Sequence, residues 1–335
     1  MSQVNTPGSS DIEARQTNPL VSVIIPVYNA TQYIAEALDS IFAQTFTDYE
    51  VIVINDGCPD TPNLERALRP YRERIVYIKQ ENQGVSSARN AGLRVARGRY
   101  VAQCDSDDAW EPEYLAVQTA MLERDPSIDL LYPNGLIFGD GLGAGRKCMD
   151  LSPSEGEVTF KSLITQQCTV TMFATARLET VVRAGMFDES LRSSEDFDLW
   201  LRIAKGGGRI VYHQRVLARY RRRGGSLSSD PVWMCEHILK VMDKSARTLE
   251  LTPDEREALE QQRARFRATL RFCEGKKALF QGDVKEAIGA LTEANAFFRS
   301  PKTSLIIFLL RFAPRLMLHA YDVRDRFIFR TDTKF

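Results

Sequence analysis

Carboxylates stand in this sequence at spacings that suit chemistry. Asp105, Asp107 and Asp108 fall within the run Asp105-Ser106-Asp107-Asp108, Glu195 and Asp196 are adjacent, and Asp56 sits between Asn55 and Gly57. Hard divalent cations such as Mg2+ and Mn2+ prefer carboxylate oxygens, and commonly bind through one or two of them together with substrate phosphates. The 105–108 run is therefore suited to holding a metal diphosphate, and it reads equally as a solvated loop or a helix cap. Glu195 or Asp196 could act as a general base, which must reach the proton it removes. Acids in a first helical turn are also favoured by the helix dipole alone. Asp56 could accept a hydrogen bond from a nucleobase N–H, or Asn55-Asp56-Gly57 could be a simple turn.

Two further groups carry donors. Asn82-Gln83-Gly84, with Ser87, Arg89 and Asn90 behind it, reads either as loop and capping chemistry or as a phosphate-facing loop at a helix N-terminus. Arg219, Arg221, Arg222 and Arg223 are followed by Gly224-Gly225-Ser226. That stretch fits a flexible clamp on phosphate oxygens, for which guanidinium geometry is suited, or a solvated charge run.

These groups must be positioned by the elements around them. Val21–Val27, Tyr49–Asn55, Ile75–Gln80 and Tyr100–Cys104 are short apolar, β-branched runs expected to be buried strands. Between them lie helical patterns. One presents Ile34, Leu38, Ile41 and Phe42 on a face, with Asn29 and Gln32 expected as its capping box. Another is expected to start at Ser86 or Ser87 and to run to about Ala96, with Gly98 as its stop. Such alternation predicts a parallel sheet covered on both faces, whose ligands sit beyond the carboxyl ends of the strands. Tyr28-Asn29, Asn55-Asp56-Gly57 and Asp105–Asp108 all fall at those ends. A helix is expected over 194–205 and a short strand over Arg209–His213. The Gly-rich stretch 139–157 reads as a loop or a rim of the site.

The chain has 335 residues, enough for about two domains. The reading is a disordered lead-in over 1–19, a catalytic domain over 20–230 and a helical region over 231–335 with one tetratricopeptide-like helical hairpin arm. Lys+Arg and Asp+Glu are both 44, so the net charge is zero and there is no basic footprint for nucleic acid. Six widely spaced cysteines without a C-x-x-C pair suit buried thiols. The lead-in lacks an apolar signal segment, which predicts a cytoplasmic protein. Leu305–Leu310 is too short to span a bilayer, and the basic stretch around it could lie on an anionic membrane surface or pack on the domain.

The segments VSVIIPVYNATQYIAEALDSIFAQTF, YEVIVINDGCPD, ENQGVSSARNAGLRVARGRYVAQCDSDDAWEP and AGMFDESLRSSEDFDLWLRIAKGG together resemble glycosyltransferase family 2. The resemblance implies an α/β GT-A fold, Rossmann-like, with a mostly parallel sheet and helices on both faces. It further implies a nucleotide-diphospho-sugar donor, usually UDP-linked, a divalent metal (Mn2+ or Mg2+), and inversion at the anomeric carbon. Under it, Pro26, Val27, Tyr28 and Asn29 lie against the base and Asp56 reads it. Asp105, Ser106 and Asp107 form the D-x-D motif, with Asp108 as the added acid, and these acids hold the metal. Asp196 of the Glu195-Asp196 pair is the usual candidate base, and Arg221 and Arg223 lie in the segment near the diphosphate; Asn82, Gly84 and Arg89 of the phosphate-facing loop above are expected to join them in binding the nucleotide-sugar. Asn55, Cys58 and Arg223 replace the more frequent Asp, Ser and His without removing a required charge. Together with the basic tail, the family suggests a glycan or lipid-linked acceptor at the inner membrane face. A sugar-phosphate nucleotidyltransferase would want a Gly-rich basic loop after the first strand, where this chain has PVYNATQ. A non-catalytic sugar-nucleotide-binding scaffold is the other alternative.

Overall fold

The computed structural model describes residues 3–5, 18–140, 143–223 and 230–314. Gln3–Asn5 (β1) is a short edge strand, and the rest of the expected disordered lead-in up to residue 17 lies outside the described residues. Val21–Val27 (β2) leads to helix Ile34–Phe42 (α1), Tyr49–Asp56 (β3) to Thr61–Leu68 (α2), and Ile75–Gln80 (β4) to Val85–Val95 (α3). Then follow Tyr100–Gln103 (β5), Ala109–Trp110 (β6), Tyr114–Arg124 (α4), Leu130–Gly139 (β7), Cys148–Leu151 (α5) and Phe160–Ile164 (α6). Thr175–Arg177 (β8), Leu178–Arg183 (α7), Glu195–Lys205 (α8) and Ile210–Arg222 (β9) close the first of two compact units, which divide between Arg222 and Arg223.

The nine strands form one mixed sheet in the order β1-β4-β3-β2-β5-β8-β7-β9-β6. Its β4-β3-β2-β5 stretch is parallel, with β2 buried at all seven positions, as its β-branched sequence predicts. β8 enters antiparallel between β5 and β7, β9 runs parallel to β7, and β6 pairs antiparallel with β9. The expected short strand over 209–213 is thus a 13-residue strand that carries the arginine cluster back to the D-x-D loop.

Local starts differ from the sequence reading. α1 begins after Tyr33, and Asn29 adopts a left-handed φ of 51°, so the expected Asn29–Gln32 capping box does not form. α3 is capped at Gly84, and Ser86 and Ser87 are buried inside its first turn, where Ser86 Oγ donates to the Leu191 carbonyl at 3.1 Å. Asn90 holds the same distant segment, donating to the Phe187 carbonyl and accepting from its N–H. The stretch read as one loop over 139–157 contains α5, and residues 141–142 lie outside the described residues.

α3 ends at Val95 with Ala96 as its C-cap, as expected, and Gly98 beyond it has a task of its own. Its N–H donates to Ser22 Oγ at 2.8 Å, and a Cβ there would sit 2.4 Å from the Ser22 nitrogen. Buried Glu50 completes the joint, accepting from Ser22 Oγ and from the Arg97 backbone and guanidinium. The second unit contains Pro231–Thr248 (α9), Pro253–Phe280 (α10), Val284–Phe298 (α11) and Pro301–Phe312 (α12). Its terminal core joins Ala278, Leu279, Ala287, Leu291, Ile307 and Leu310.

Replacing Gly98 with Ala forces backbone against backbone beside β2. The expected cost is about 1–3 kcal/mol, as for other overpacked sites, read as a lower urea midpoint of the first unit.

Candidate active site

Three elements bring the chemical groups together, and α3 is the centre. Arg89 on its second turn is 2% exposed. Its Nη2 donates to Asp105 Oδ1 at 2.7 Å and its Nη1 donates to Glu195 Oε1. Phe187 lies under the guanidinium at 5.4 Å. One cation thus ties the D-x-D loop after β5 to the first turn of α8. Burial pulls its pKa down, but the charges of Asp105, Glu195 and Asp196 outweigh that and hold the proton more firmly than usual.

Asp196 is half-buried beside this pair, and its Oδ1 accepts from the Phe197 N–H at 2.7 Å. Burial first, then the Glu195 charge, push its pKa up to about 7, while Arg89 opposes the rise. The two acids of the pair therefore differ. Glu195 is 6% exposed and bound to Arg89, and Asp196 is a carboxylate that changes charge near neutral pH. Ser194, in left-handed backbone at φ 58°, stands directly before the pair and opens the helix.

The 105–108 acids serve different partners. Asp105 is given to Arg89. Asp108 is 4% exposed and its Oδ1 accepts from the Arg221 N–H at 2.8 Å. The Arg221 guanidinium donates to the Asp107 carbonyl at 2.8 Å and to Glu36 of α1, and it stacks near Phe138 and Tyr33. Among the described residues, no three His, Cys, Asp or Glu side chains converge as a ready metal site, in contrast to the three-ligand set expected. The donor chemistry still fits a hard cation: Asp105 and Asp107 are half-buried, and burial with these two neighbours pushes the Asp108 pKa well above the carboxylate range. Anionic oxygens crowded to that degree are what a divalent cation relieves.

Asp56, 3% exposed, closes the end of β3. It accepts from Gln80 Nε2 at 2.8 Å and from the Gln83 and Gly84 N–H groups at 2.9 Å. Its carboxylate therefore shapes the loop that caps α3. Gly57, at φ 65°, lies so close to this loop that a Cβ would sit 2.5 Å from the Asn82 nitrogen. Asn55 is buried and ties the turn to Thr61, Tyr77 and the Cys58 N–H. Pro26 and Val27 are buried within β2, so the segment offers Tyr28, 49% exposed, and Asn29 at the surface. Asn82 is exposed on its loop and Ser106 is buried. Arg223 is the first residue of the second unit, and the rest of the expected basic segment, 224–229, lies outside the described residues.

Sequence reasoning missed Glu36 as the partner of Arg221 and Arg192 as a neighbour of the loop. Arg192 Nη1 donates to the Gln83 carbonyl at 3.3 Å, and a Cβ at Gly84 would meet it at 3.0 Å. Neither carries a local signal, because each contact closes over more than a hundred residues.

The profile described as Glycosyl transferase family 2 matches residues 22–171. The glycosyltransferase MJ1057 of Methanocaldococcus jannaschii is 30% identical over 208 residues, covering 61% of this chain and 71% of that protein. EpsJ of Bacillus subtilis is 32% identical over 237 residues, covering 66% and 67%. The chain belongs to glycosyltransferase family 2. It spans 64%, 30% and 34% of the length of relatives from Rickettsia prowazekii, Rickettsia bellii and Rickettsia felis. Among solved structures, residues 1–349 of S. aureus TarS in complex with UDP-GlcNAc superpose with a TM-score of 0.59 at 20% identity, covering 93% of each chain. The mannosyltransferase PcManGT of Pyrobaculum calidifontis, in complex with GDP-Man and Mn2+, gives 0.59 at 19% identity, covering 93% of this chain and 88% of that one. The fold is accordingly GT-A-like.

Arg89→Met leaves Glu195 buried without its cation. The expected loss is about 3–5 kcal/mol, as when one partner of a buried pair is removed, measured by urea unfolding at pH 7. Arg89→Lys, a single ammonium unable to span both carboxylates, recovers only part of it.

Proposed function

We propose that the protein is an inverting, metal-dependent glycosyltransferase that moves a sugar from a nucleotide-diphospho-sugar, of the UDP-linked class, to an acceptor hydroxyl. The observation that carries this is the bridge of Arg89 between Asp105 and Glu195, because it sets a carboxylate tunable near pH 7 beside the D-x-D loop. Asp196 takes the proton of the acceptor hydroxyl. The acceptor oxygen then bonds to the anomeric carbon from the face opposite the leaving group, and the C–O bond to the β-phosphate breaks with its electron pair. Nucleoside diphosphate departs and the configuration inverts. Asp105 and Asp107 would hold the divalent cation, Mn2+ or Mg2+, with Asp108 behind them. When bound, that cation supplies charge neutralisation for the leaving diphosphate.

The remaining residues position. Arg89 and Glu195 fix the two loops against each other, Asp56 shapes loop 81–84, and Tyr28 offers a ring at the sheet's carboxyl edge. Arg221 holds the D-x-D loop through its backbone, so its part in diphosphate binding is indirect. The acceptor is a glycan or a lipid-linked hydroxyl of surface-polysaccharide assembly, met at the inner face of the cell membrane.

Incubation with single UDP-sugars, with and without Mn2+, tests the reading. Metal-dependent release of nucleoside diphosphate supports it; pyrophosphate release from a nucleoside triphosphate and a sugar phosphate would identify a nucleotidyltransferase instead, and binding without turnover a scaffold. Asp196→Asn should lower kcat by about 10^2–10^4, the usual contribution of a positioned base, with the donor KM little changed.

The pH dependence follows from Asp196. Its base form is the ionised one, so kcat/KM should be full above about 7 and fall as pH drops through that value. Glu195→Gln removes a charge that raises the Asp196 pKa, so its acid limb should move to lower pH, as a pH–rate profile of both proteins would show.

A further inference from the structure

The last helix of the second unit is apolar on two sides. α12 buries Thr303, Ile307 and Leu310, of which Ile307 and Leu310 pack with Ala278, Leu279, Ala287 and Leu291. The opposite stripe, Leu305, Phe308 and Phe312, follows the i, i+3, i+7 spacing of one helix face and is exposed by 58%, 56% and 73%. Phe308 and Phe312 lie with ring centroids 4.7 Å apart. The last two residues of α11, Phe297 and Phe298, expose two more rings in edge contact at 5.2 Å. Single exposed apolar residues are ordinary, but an aromatic stripe of this kind marks a surface that is covered in use.

The charge around the stripe says by what. Acids make up 44 of the 335 residues, yet none lies between Glu293 and Asp322. The same stretch contains Arg299, Lys302 and Arg311, all exposed. Among the described residues no helix is long and apolar enough to cross a membrane. At 12 residues α12 is about 18 Å long, which suits lying in a bilayer interface and not spanning one. A second copy of the chain is the poorer occupant, because a two-fold contact would bring the same cations face to face.

We propose that α12, with the end of α11 and the turn between them, docks on the surface of an anionic lipid bilayer. Leu305, Phe308 and Phe312 enter the boundary between headgroups and acyl chains, and Arg299, Lys302 and Arg311 meet the lipid phosphates. The inference stands on the second unit's own surface; it deepens the functional reading only where that reading brings the acceptor to a membrane.

Flotation of the full chain with vesicles tests it, comparing pure phosphatidylcholine with an equal mixture of phosphatidylcholine and phosphatidylglycerol. The protein should float with the mixed vesicles and fall off at 1 M salt, where the Debye length shrinks to about 3 Å. Phe308→Ser with Phe312→Ser, both on the exposed face, should reduce the bound fraction roughly tenfold, and Lys302→Glu with Arg311→Glu should do likewise with the stripe intact. Nucleoside diphosphate release is measured on the same samples. A chain that turns over donor without floating overturns the docking surface and leaves the transferase reading standing. A chain that floats without turnover supports docking and counts against the transferase reading. Flotation unchanged by both variants overturns the docking surface, as does absence of flotation combined with a stripe-dependent dimer in light scattering.

Discussion

A guanidinium leaves water at a large cost, and Arg89 does so almost completely because two carboxylates from segments 90 residues apart meet on it. Each contact at about 4 Å contributes roughly 4 kcal/mol at an effective dielectric of 20, so neither acid alone would offset the desolvation with much to spare. The bridge makes the position of the D-x-D loop and the position of α8 one variable. Asn90 and Ser86, on the same helix, fasten the 187–191 segment that leads into α8. α3 is therefore the keystone of the site: its outer face carries the charge bridge, and Gly92 on its inner face lies against Ile24 and Ile54 of the sheet.

Two other groups repeat this use of functional-looking residues as fasteners. Asp56 spends both oxygens on Gln80 and on the backbone of loop 81–84, which fixes the entry to α3. Arg221 binds the backbone of the D-x-D loop from β9, while Asp108 returns the contact to the Arg221 N–H. Both are reciprocal ties between strand ends and loops, so the carboxyl edge of the sheet is held by hydrogen bonds that close long chain loops. Backbone groups there would otherwise be left unpaired on irregular segments.

The parallel half of the sheet was legible because its strands are buried on both faces and read as continuous β-branched runs; β2 and β4 fall where the pattern places them. The D-x-D and E-D acids were legible because they sit at a strand end and a helix start. What was not legible rests on distant pairing. The antiparallel insertion of β8 depends on β5 and β7, and a three-residue strand carries no periodicity of its own. β9 continues well past His213 because β7 lies beside it, through register shifts that no local pattern announces. The starts of α1 and α3 were misread for a related reason: Asn29 and Gly84 take left-handed turns, while the serines expected as caps are called away to the 187–191 segment.

The balance of charge at the site bears on what it can accept. Asp105 and Glu195 meet on Arg89, and Glu36, Asp108 and the Asp107 carbonyl meet on Arg221, so both guanidinium groups are committed to carboxylates or to the loop backbone. A diphosphate brought to this edge would meet these acids, and Arg89 and Arg221 could not turn to it without releasing the groups they hold. Under the proposed function, a divalent cation held by Asp105 and Asp107 would ease that conflict by supplying positive charge, and the Arg89 bridge could stay in place. It would also shift Asp196 toward its ionised form, because positive charge nearby favours the carboxylate. Donor binding and readiness of the base would then be coupled through the same electrostatic centre, with Arg89 holding the geometry in both states.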